Sequence, residues 1–351
     1  MDATGDADAD VALDVVHVEL IVVEHELTMP FAIAGGGMDV ARAVVVRVEL
    51  SDGTVGLGEC APFPAVSGET VETTIAALRR VGPGGADSLG DAPAARCGLE
   101  QARLDARLRA AGRSVLDWMP PAVDSIETDI TLPVGPVEGA LAFVDDAVGR
   151  GFRSLKVKIG GRELADDVAV VRAVHSTFPD LELLLDANGA YDLDTARELL
   201  RRLATVPVAL LEQPLARDAL DDAVALQATT DVVICLDESL RGAADLDAIL
   251  RRQTLRGVNI KTMKLGLQPA VAILARAADA GLECMVGGMV ESRLSMTVSA
   301  ALAMHRPDAV RHVDLDTPLF MRPGPISGGI AYDGPTITMP APLLGHGCEL
   351  R

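Results

Sequence analysis

Three apolar runs in this chain each end in a carboxylate, and a lysine lies on either side of the series. The runs are LELLLD (181–186), VALLE (208–212) and VVICLD (232–237). The steps between the five charged residues are 28, 26, 25 and 24 positions, in the order Lys158, Asp186, Glu212, Asp237 and Lys261. One strand–helix unit takes about that length, so five successive strands are predicted to end in a functional group. In a parallel barrel, these strand ends meet on one rim.

Short apolar segments alternate with amphipathic helical segments from about residue 127 onward. The predicted strands are 127–133, 154–159, 181–186, 208–212, 232–237, 257–261, 282–287 and 310–316. Eight strands in steady alternation favour an α/β barrel over an open sheet. No GxGxxG follows the first strand of a βαβ unit and there is no Walker loop, so the sequence does not support nucleotide binding.

The first ~115 residues have a different pattern, typical of a separate α+β domain. Residues 11–23 and 41–50 are β-rich, Ser51-Asp52-Gly53 predicts a hairpin turn, and residues 71–81 and 94–111 are predicted helices. Pro120-Pro121 indicates the domain boundary. The predicted divisions are a disordered acidic leader (1–10), an α+β capping domain (11–120), a barrel (121–317) and a C-terminal segment packing on the capping domain (318–351).

Composition excludes several classes of partner. The formal net charge of −20 argues against nucleic acid and against an anionic membrane surface. No run approaches 18 apolar residues, and the acidic start lacks the features of a signal peptide. The five cysteines are scattered without a CxxC pair, which disfavours zinc or disulfides. We therefore expect a cytoplasmic protein that acts on a small molecule. Because oligomers are common among soluble barrels, we also expect a homo-oligomer.

The three carboxylates would repel one another in a buried site unless a cation lies between them. Any one of these acids alone could cap a helix or a turn. Their near-equal spacing instead favours a Mg²⁺ site formed by Asp186, Glu212 and Asp237, because hard oxygen ligands suit that ion. Asn188 and Glu238 follow closely and could support the ligands, although Glu238 could equally form a salt bridge at the rim.

The lysines suit proton transfer. Lys156 and Lys158 are two residues apart and should share a strand face, where repulsion and burial would lower the pKa of Lys158 toward that of a general base. The alternative is an exposed strand with solvated lysines. Lys261 ends an apolar run and should face the site, whereas Lys264 is expected to be exposed. Such groups suit removal of the proton on the carbon next to a carboxylate, with metal and ammonium charge stabilising the enediolate.

At this point the chain resembles the enolase superfamily, in its muconate-cycloisomerase-like subgroup, over nearly its whole length. The similar segments are DGTVGLGECAP, the KVK strand, LLLDANGAY, LLEQP, CLDES and NIKTMK. The resemblance implies a capping domain on a modified (β/α)₇β barrel. It also implies Mg²⁺ on the three carboxylates and acid/base roles for Lys158 and Lys261.

The last predicted strand decides among the reactions of the subgroup. Asp314 and Asp316 share one strand face, where two carboxylates make a good receptor for an ammonium group. The alternative is that one aspartate caps the loop to Pro318 and the other is solvated. Dipeptide epimerases look similar here, so we expect Mg²⁺-dependent epimerisation of dipeptides at the α carbon of the C-terminal residue. Lys156 would help to bind the substrate carboxylate, and Glu291 could line the pocket. His312 is assigned a structural role.

Residues 31–38 (FAIAGGGM) depart from the epimerases that act on alanyl-glutamate, which carry an arginine in this loop. No cation is present here, and Arg42 falls in the following strand, so the second residue of the substrate is not expected to be acidic. The alternatives are an o-succinylbenzoate synthase or N-acylamino-acid racemase on the same fold, or a metal-stabilised binding protein without activity.

Overall fold

A computed structural model describes residues 13–33, 36–82 and 85–351 of the protein. The predicted leader, residues 1–10, lies outside the described residues, and so does part of the loop at 31–38. Within the described ranges, no helix combines the length and apolarity needed to cross a membrane.

The N-terminal domain is a three-stranded antiparallel sheet covered by helices. Its strands are β1 (Val15–Ile33), β2 (Gly36–Leu50) and β3 (Val55–Cys60), paired in that order. Its helices are α1 (Pro64–Ser67), α2 (Val71–Val81), α3 (Pro93–Ala110) and α4 (Val115–Trp118), with a 3₁₀ turn at Ala86–Leu89. The Thr70 side chain accepts a hydrogen bond from the backbone N–H of Thr73 at 3.2 Å, which caps the start of α2.

The second domain is a barrel of eight parallel strands that pair strictly in chain order. These strands are β5 (Ile130–Leu132), β6 (Ser154–Lys158), β7 (Glu182–Asp186), β8 (Val208–Glu212), β9 (Val233–Leu236), β10 (Gly257–Ile260), β11 (Glu283–Gly287) and β12 (Val310–Asp314). Each of the eight predicted strands is present. At the seam, the backbone N–H of Asp129 donates to the carbonyl of Val313 at 2.9 Å, and that of Leu315 donates to the Thr128 hydroxyl at 2.9 Å.

Helices follow seven of the eight barrel strands. They are α5 (Val137–Gly149), α6 (Leu164–Thr177), α7 (Leu193–Arg202), α8 (Leu220–Gln227), α9 (Ala243–Leu250), α10 (Thr262–Leu265) with α11 (Leu267–Asp279), and α12 (Arg293–His305). Only a 3₁₀ turn, Thr317–Phe320, follows β12. The fold is therefore the modified (β/α)₇β barrel with a capping domain, as the sequence predicted.

The barrel interior explains why the strand ends carry charge. Leu184, Leu210, Cys235 and Met285 form a small apolar cluster of their own, apart from the core between strands and helices. Successive side chains of a strand alternate between its faces, so the residue two positions later also points inward. At the ends of β7, β8 and β9 that residue is a carboxylate, which places a layer of acids above an apolar floor.

The C-terminal segment folds back onto both domains. β13 (Ile326–Gly328) pairs with β16 (Cys348–Leu350), while β14 (Ala331–Asp333) and β15 (Thr336–Thr338) form a sheet with β4 (Ser125–Glu127). The Arg109 guanidinium on α3 donates to the carbonyl of Cys348 at 2.8 Å. This contact joins the end of the chain to the capping domain.

Candidate active site

Strand register brings the predicted residues to one end of the barrel. Lys158 is the register partner of Asp186, and Asp186 is the partner of Glu212. Asp237 directly follows β9, and Lys261 directly follows β10. Strands β6 and β10 are four places apart in a barrel of eight, so Lys158 and Lys261 enter from opposite sides.

Lys158 is held by groups from the end of β7. Its ammonium donates to Asp186 Oδ2 at 2.5 Å and to Asn188 Oδ1 at 3.1 Å. Asn188 adopts φ 43° and also donates from its side chain to Glu238 Oε1 at 3.2 Å. Burial opposes ionisation of Asp186, but Lys158 and Lys156 outweigh it and lower the pKa of this carboxyl.

Glu212 is the least compensated of the three acids. Its Oε1 accepts a hydrogen bond from the Asn259 side chain at 2.6 Å, while its buried Oε2 has no hydrogen-bond partner within the described chain. The nearest ammonium to Oε2, that of Lys156, is 3.7 Å away. Burial, reinforced by the charge of Asp186, raises the pKa of Glu212 to about 8.

Asp237 is bracketed by two ammonium groups. Its Oδ2 lies 2.8 Å from Lys261 Nζ, and its Oδ1 lies 2.6 Å from Lys264 Nζ. Burial alone would raise the pKa of Asp237, but these two charges depress it. The expectation that Lys264 is exposed was wrong, because the short helix α10 turns the side chain back under the strand end, where it is 3% exposed.

The donor set fits a divalent cation, although the three acids do not converge tightly. Among the described residues, the carboxylates whose oxygens lie within 4.8 Å of one another belong to a different group, Asp129, Asp314 and Asp316. Of the three strand-end acids, Asp186 and Asp237 pair with neighbouring lysines, whereas Glu212 is held by Asn259. The orphaned Glu212 oxygen and its raised pKa indicate that this layer lacks positive charge, which a hard dication would supply.

A second group of charges lies where β5 and β12 meet. The Lys156 ammonium donates to Asp314 Oδ2, and both residues are buried. Burial lowers the pKa of Lys156, but Asp314 and further acids outweigh it and raise it well above the ordinary value. Asp316 Oδ2 accepts from the Thr131 backbone N–H at 2.6 Å, and burial together with Asp314 raises the pKa of Asp316 to about 6.

Most of these groups line one cavity beneath the capping domain. Its polar lining includes Lys156, Lys158, Asn188, Asp237, Lys261, Asp314 and Asp316. Its apolar wall comes from the capping domain and the loop after β11, with Phe63, Val66, Met289 and Val290. The residues that sequence analysis assigned to base, metal and ammonium recognition therefore lie in or directly beside one concave site.

The structure does not place Glu291 on the cavity wall. Its carboxylate is fully buried and accepts hydrogen bonds from the Met289 backbone N–H, at 2.6 Å, and from the Ser295 hydroxyl. The expectation that Glu291 lines the pocket was wrong because the chain turns after Gly288 and presents Met289 and Val290 instead. Burial raises the pKa of Glu291 to about 7.

Several supporting residues were missed by sequence reasoning. Gln213 accepts from the backbone N–H of Asp237 at 2.9 Å, and Asn259 holds Glu212. Asp129 is buried beside Asp314 and Asp316. Sequence position could have identified two of these residues. Gln213 directly follows a strand-end acid, and Asp129 precedes the inward-facing Thr131 by two positions. His312 has the structural environment expected, with Nε2 3.0 Å from Glu283 Oε1.

Comparison with known proteins matches both domains. Residues 17–119 match the model of the mandelate racemase / muconate lactonizing enzyme N-terminal domain, and residues 140–351 match the enolase C-terminal domain-like model. An aromatic dipeptide epimerase from Herpetosiphon aurantiacus is 40% identical over 341 residues, covering 92% of this chain and 95% of its own.

Solved structures give the same result. A mandelate racemase/muconate lactonizing protein from Herpetosiphon aurantiacus superposes with a TM-score of 0.91 at 38% identity, over 97% of this chain and all of its own. A dipeptide epimerase from Enterococcus faecalis, solved with Mg and L-Leu-L-Tyr, superposes with a TM-score of 0.90 at 27% identity, over 97% of this chain and all of its own.

Proposed function

We propose that this chain, which belongs to the enolase superfamily and is an isomerase, epimerises dipeptides at the α carbon of the C-terminal residue. It carries both domains of the mandelate racemase / muconate lactonizing enzyme type. One observation carries the proposal: two lysines reach the cavity from opposite sides of the barrel, and an aspartate pair lies in the same cavity. The lysines account for inversion of a carbon centre, and the aspartates account for a free amino terminus.

The proton transfer follows from the opposition of Lys158 and Lys261. One lysine, in its neutral form, takes the α proton from one face, and the ammonium of the other returns a proton to the opposite face. The dianionic enediolate between these steps needs concentrated positive charge in a site that excludes water. Lys156 lies beside this layer and is positioned to meet the substrate carboxylate.

Asp186, Glu212 and Asp237 are the residues that would hold Mg²⁺. Bound there, the ion would supply positive charge next to the substrate carboxylate. Gln213 fixes the backbone of Asp237 and Asn259 fixes one oxygen of Glu212, so the ligands would keep their orientation. The relative from Enterococcus faecalis that was solved with Mg and a dipeptide supports this assignment.

Substrate binding would exchange one ion pair for two. In the free protein, Lys156 is paired with Asp314. A dipeptide brings a carboxylate for Lys156 and an ammonium for Asp314 and Asp316. Lys156 and Asp314 would therefore each gain a new counter-ion when their own ion pair breaks. A substrate without the amino group would leave Asp314 buried without its counter-ion, which is costly.

We infer that the second residue of the substrate is apolar. The cavity wall formed by Phe63, Val66, Met289 and Val290 offers no charge. Arg42 lies in β2, the strand that follows the loop at 31–38. Its guanidinium is 3.5 Å from the Glu24 carboxylate and 3.2 Å from the Glu72 carboxylate, so it is already paired. The aromatic dipeptide epimerase at 40% identity agrees with this inference.

The direct test is isotope exchange with a mixed L,L-dipeptide library in D₂O, read by mass spectrometry. With Mg²⁺ we expect a gain of about one dalton on dipeptides with an apolar second residue, from exchange of a single α proton. EDTA should abolish it, and so should the double variant Lys158→Ala/Lys261→Ala, which retains neither base. No gain on any dipeptide, together with exchange on N-succinyl amino acids, would favour the racemase or synthase alternative and overturn the proposal.

The aspartate pair is tested by Asp314→Asn, which keeps the shape of the side chain and removes its charge. We expect KM for a dipeptide to rise about 10- to 100-fold, as for loss of a charge-assisted hydrogen bond, with a smaller effect on kcat. Steady-state kinetics with the exchange assay give both constants. Unchanged KM would show that Asp314 does not receive the amino terminus.

A further inference from the structure

We propose that Asp129 is a third carboxylate of the amine subsite, lying behind Asp314 and Asp316, and that it makes the site selective for substrates with a free primary amine. This inference rests on the proposed function, because it concerns recognition of the amino terminus of the same substrate. Neither the sequence pattern nor the assignment of the aspartate pair requires this residue.

The geometry forms a receptor with three acceptors. One carboxylate oxygen from each of Asp129, Asp314 and Asp316 lies within 4.8 Å of the other two. A point central to three such atoms is no more than about 2.8 Å from each, which is the length of a charge-assisted N–H···O hydrogen bond. A primary ammonium has three N–H donors, so the number of donors equals the number of carboxylates.

Asp129 itself is left without a partner. It is 2% exposed, and neither carboxylate oxygen has a hydrogen-bond partner among the described residues. Its backbone is fixed at the barrel seam by the hydrogen bond to Val313, so the side chain is held inside the barrel. A buried acid that is positioned in this way and left unsatisfied needs a cation or a proton.

The electrostatics agree with a site completed by its ligand. Burial, reinforced by Asp314, raises the pKa of Asp129 well above the ordinary value. Lys156 partly compensates this charge, but its ammonium pairs with Asp314 and forms no ion pair with Asp129 in the described chain. An arriving ammonium would stabilise the ionised form of Asp129 at no cost in new side-chain ordering.

Asp129 lies deeper than the cavity wall. It precedes Thr131, which lines the cavity, by two positions on the same strand face. The substrate would therefore meet Asp314 and Asp316 first, and only a small, fully charged head group could reach the third oxygen. A bulky N-acyl group would be excluded from this position by size and by lack of charge.

The experiment compares alanyl-leucine with propionyl-leucine, which differ only in the amino group. We expect Asp129→Asn to raise KM for alanyl-leucine about tenfold, as for a hydrogen bond to a charged group, while kcat changes about twofold or less. The kcat/KM for propionyl-leucine should stay unchanged. Asp333→Asn, at an exposed aspartate of the C-terminal sheet, is the matched control and should leave both substrates unaffected.

Binding is measured in parallel by the thermal shift that each compound produces at saturating Mg²⁺. The preference of the parent protein for the amine should shrink in Asp129→Asn, whether or not turnover occurs. This readout separates the two proposals: absence of exchange on any dipeptide would refute the epimerase function, whereas an unchanged amine preference would refute the role of Asp129.

Two further outcomes would also overturn the inference. An equal loss of activity and of binding for both compounds would assign Asp129 a purely structural role at the barrel seam. A raised requirement for Mg²⁺ with an unchanged amine preference would show that the three aspartates bind a metal ion instead of an amine.

Discussion

At the scale of single residues, the site is governed by how each buried charge is compensated. Asp237 has two ammonium groups beside it, Asp186 has one at hydrogen-bond distance, and Glu212 has none closer than 3.7 Å. The acids of one layer therefore differ in pKa direction, which is lowered for Asp186 and Asp237 and raised for Glu212. Because Glu212 is the buried acid without a close counter-charge, a cation bound beside it would supply the missing compensation.

Asp316 should impose an acid limb on dipeptide turnover. Its pKa is raised to about 6, so the carboxyl takes up a proton as the pH falls through that value and can no longer serve as a counter-ion for an ammonium. We expect kcat/KM for an alanyl dipeptide to fall about tenfold per pH unit below pH 6, as for a single protonation. A pH series of initial rates measures this limb.

The matched variant for that series is Asp316→Asn, which cannot titrate. Its kcat/KM should be low and free of the limb near pH 6. Persistence of the same limb in the variant would assign the proton to another group.

Lys158 and Lys261 should each serve one face of the α carbon. Removing either lysine breaks the two-base sequence, so we expect epimerisation to fall by about 100- to 10,000-fold. Each alanine variant should still exchange the α proton of one epimer with D₂O, and the two variants should retain opposite epimers. Proton NMR of the L,L and L,D forms of one dipeptide, incubated separately, gives the four rates. Loss of exchange with both epimers in both variants would argue against separate faces.

At the scale of elements, the barrel strands were predictable because burial on both faces makes them continuous apolar runs. Their ends were predictable because inward alternation places the last residue of each run over the barrel floor. Lys264 was not predictable in this way, because α10 is a single short turn that reverses the side-chain direction. Asp129 escaped for another reason: it lies near the start of its predicted strand and not at the end, and its partner β12 is the last strand in the sequence.

In the capping domain, the packing of β3 against α3 requires glycine, because the two backbones approach too closely for a side chain. A Cβ atom on Gly58 would lie 2.0 Å from the carbonyl oxygen of Gly98 and 2.6 Å from the backbone nitrogen of Ala102. These are backbone atoms that cannot rotate away. We expect Gly58→Ala to lower the free energy of unfolding by about 3 kcal/mol through overpacking. Urea denaturation measures the loss.

Gly90→Ala is the control for that substitution, since Gly90 has φ −53° and no atom within 4 Å of an added Cβ. Its effect should stay within about 0.5 kcal/mol, as for other open surface positions. Comparable stability of the two variants would mean that β3 and α3 can separate without penalty.

At the scale of the whole molecule, the cavity exists only because the capping domain and the barrel are joined next to it. Glu59, in β3, accepts hydrogen bonds from the backbone N–H of Ser292 at 3.0 Å, its hydroxyl at 2.7 Å and the backbone N–H of Ser295 at 3.2 Å. A strand of one domain thus caps the first turn of α12 in the other, where negative charge is favoured. Met289 and Val290, three and two positions before Ser292, line the cavity.

Replacing Glu59 should therefore affect stability and substrate affinity together. Glu59→Ala leaves three buried donors without an acceptor, and we expect a loss of about 3 kcal/mol in the free energy of unfolding. Because the loop at Met289 loses its anchor, KM for a dipeptide should rise about tenfold or more, as for a small displacement of a positioning group. Glu19→Ala, in the exposed ion pair with Arg47 at 3.6 Å on the same sheet, should change stability by at most about 1 kcal/mol. Denaturation and steady-state kinetics on the two variants test this prediction. A destabilised Glu59 variant with unchanged KM would show that the contact between the domains does not position the substrate site.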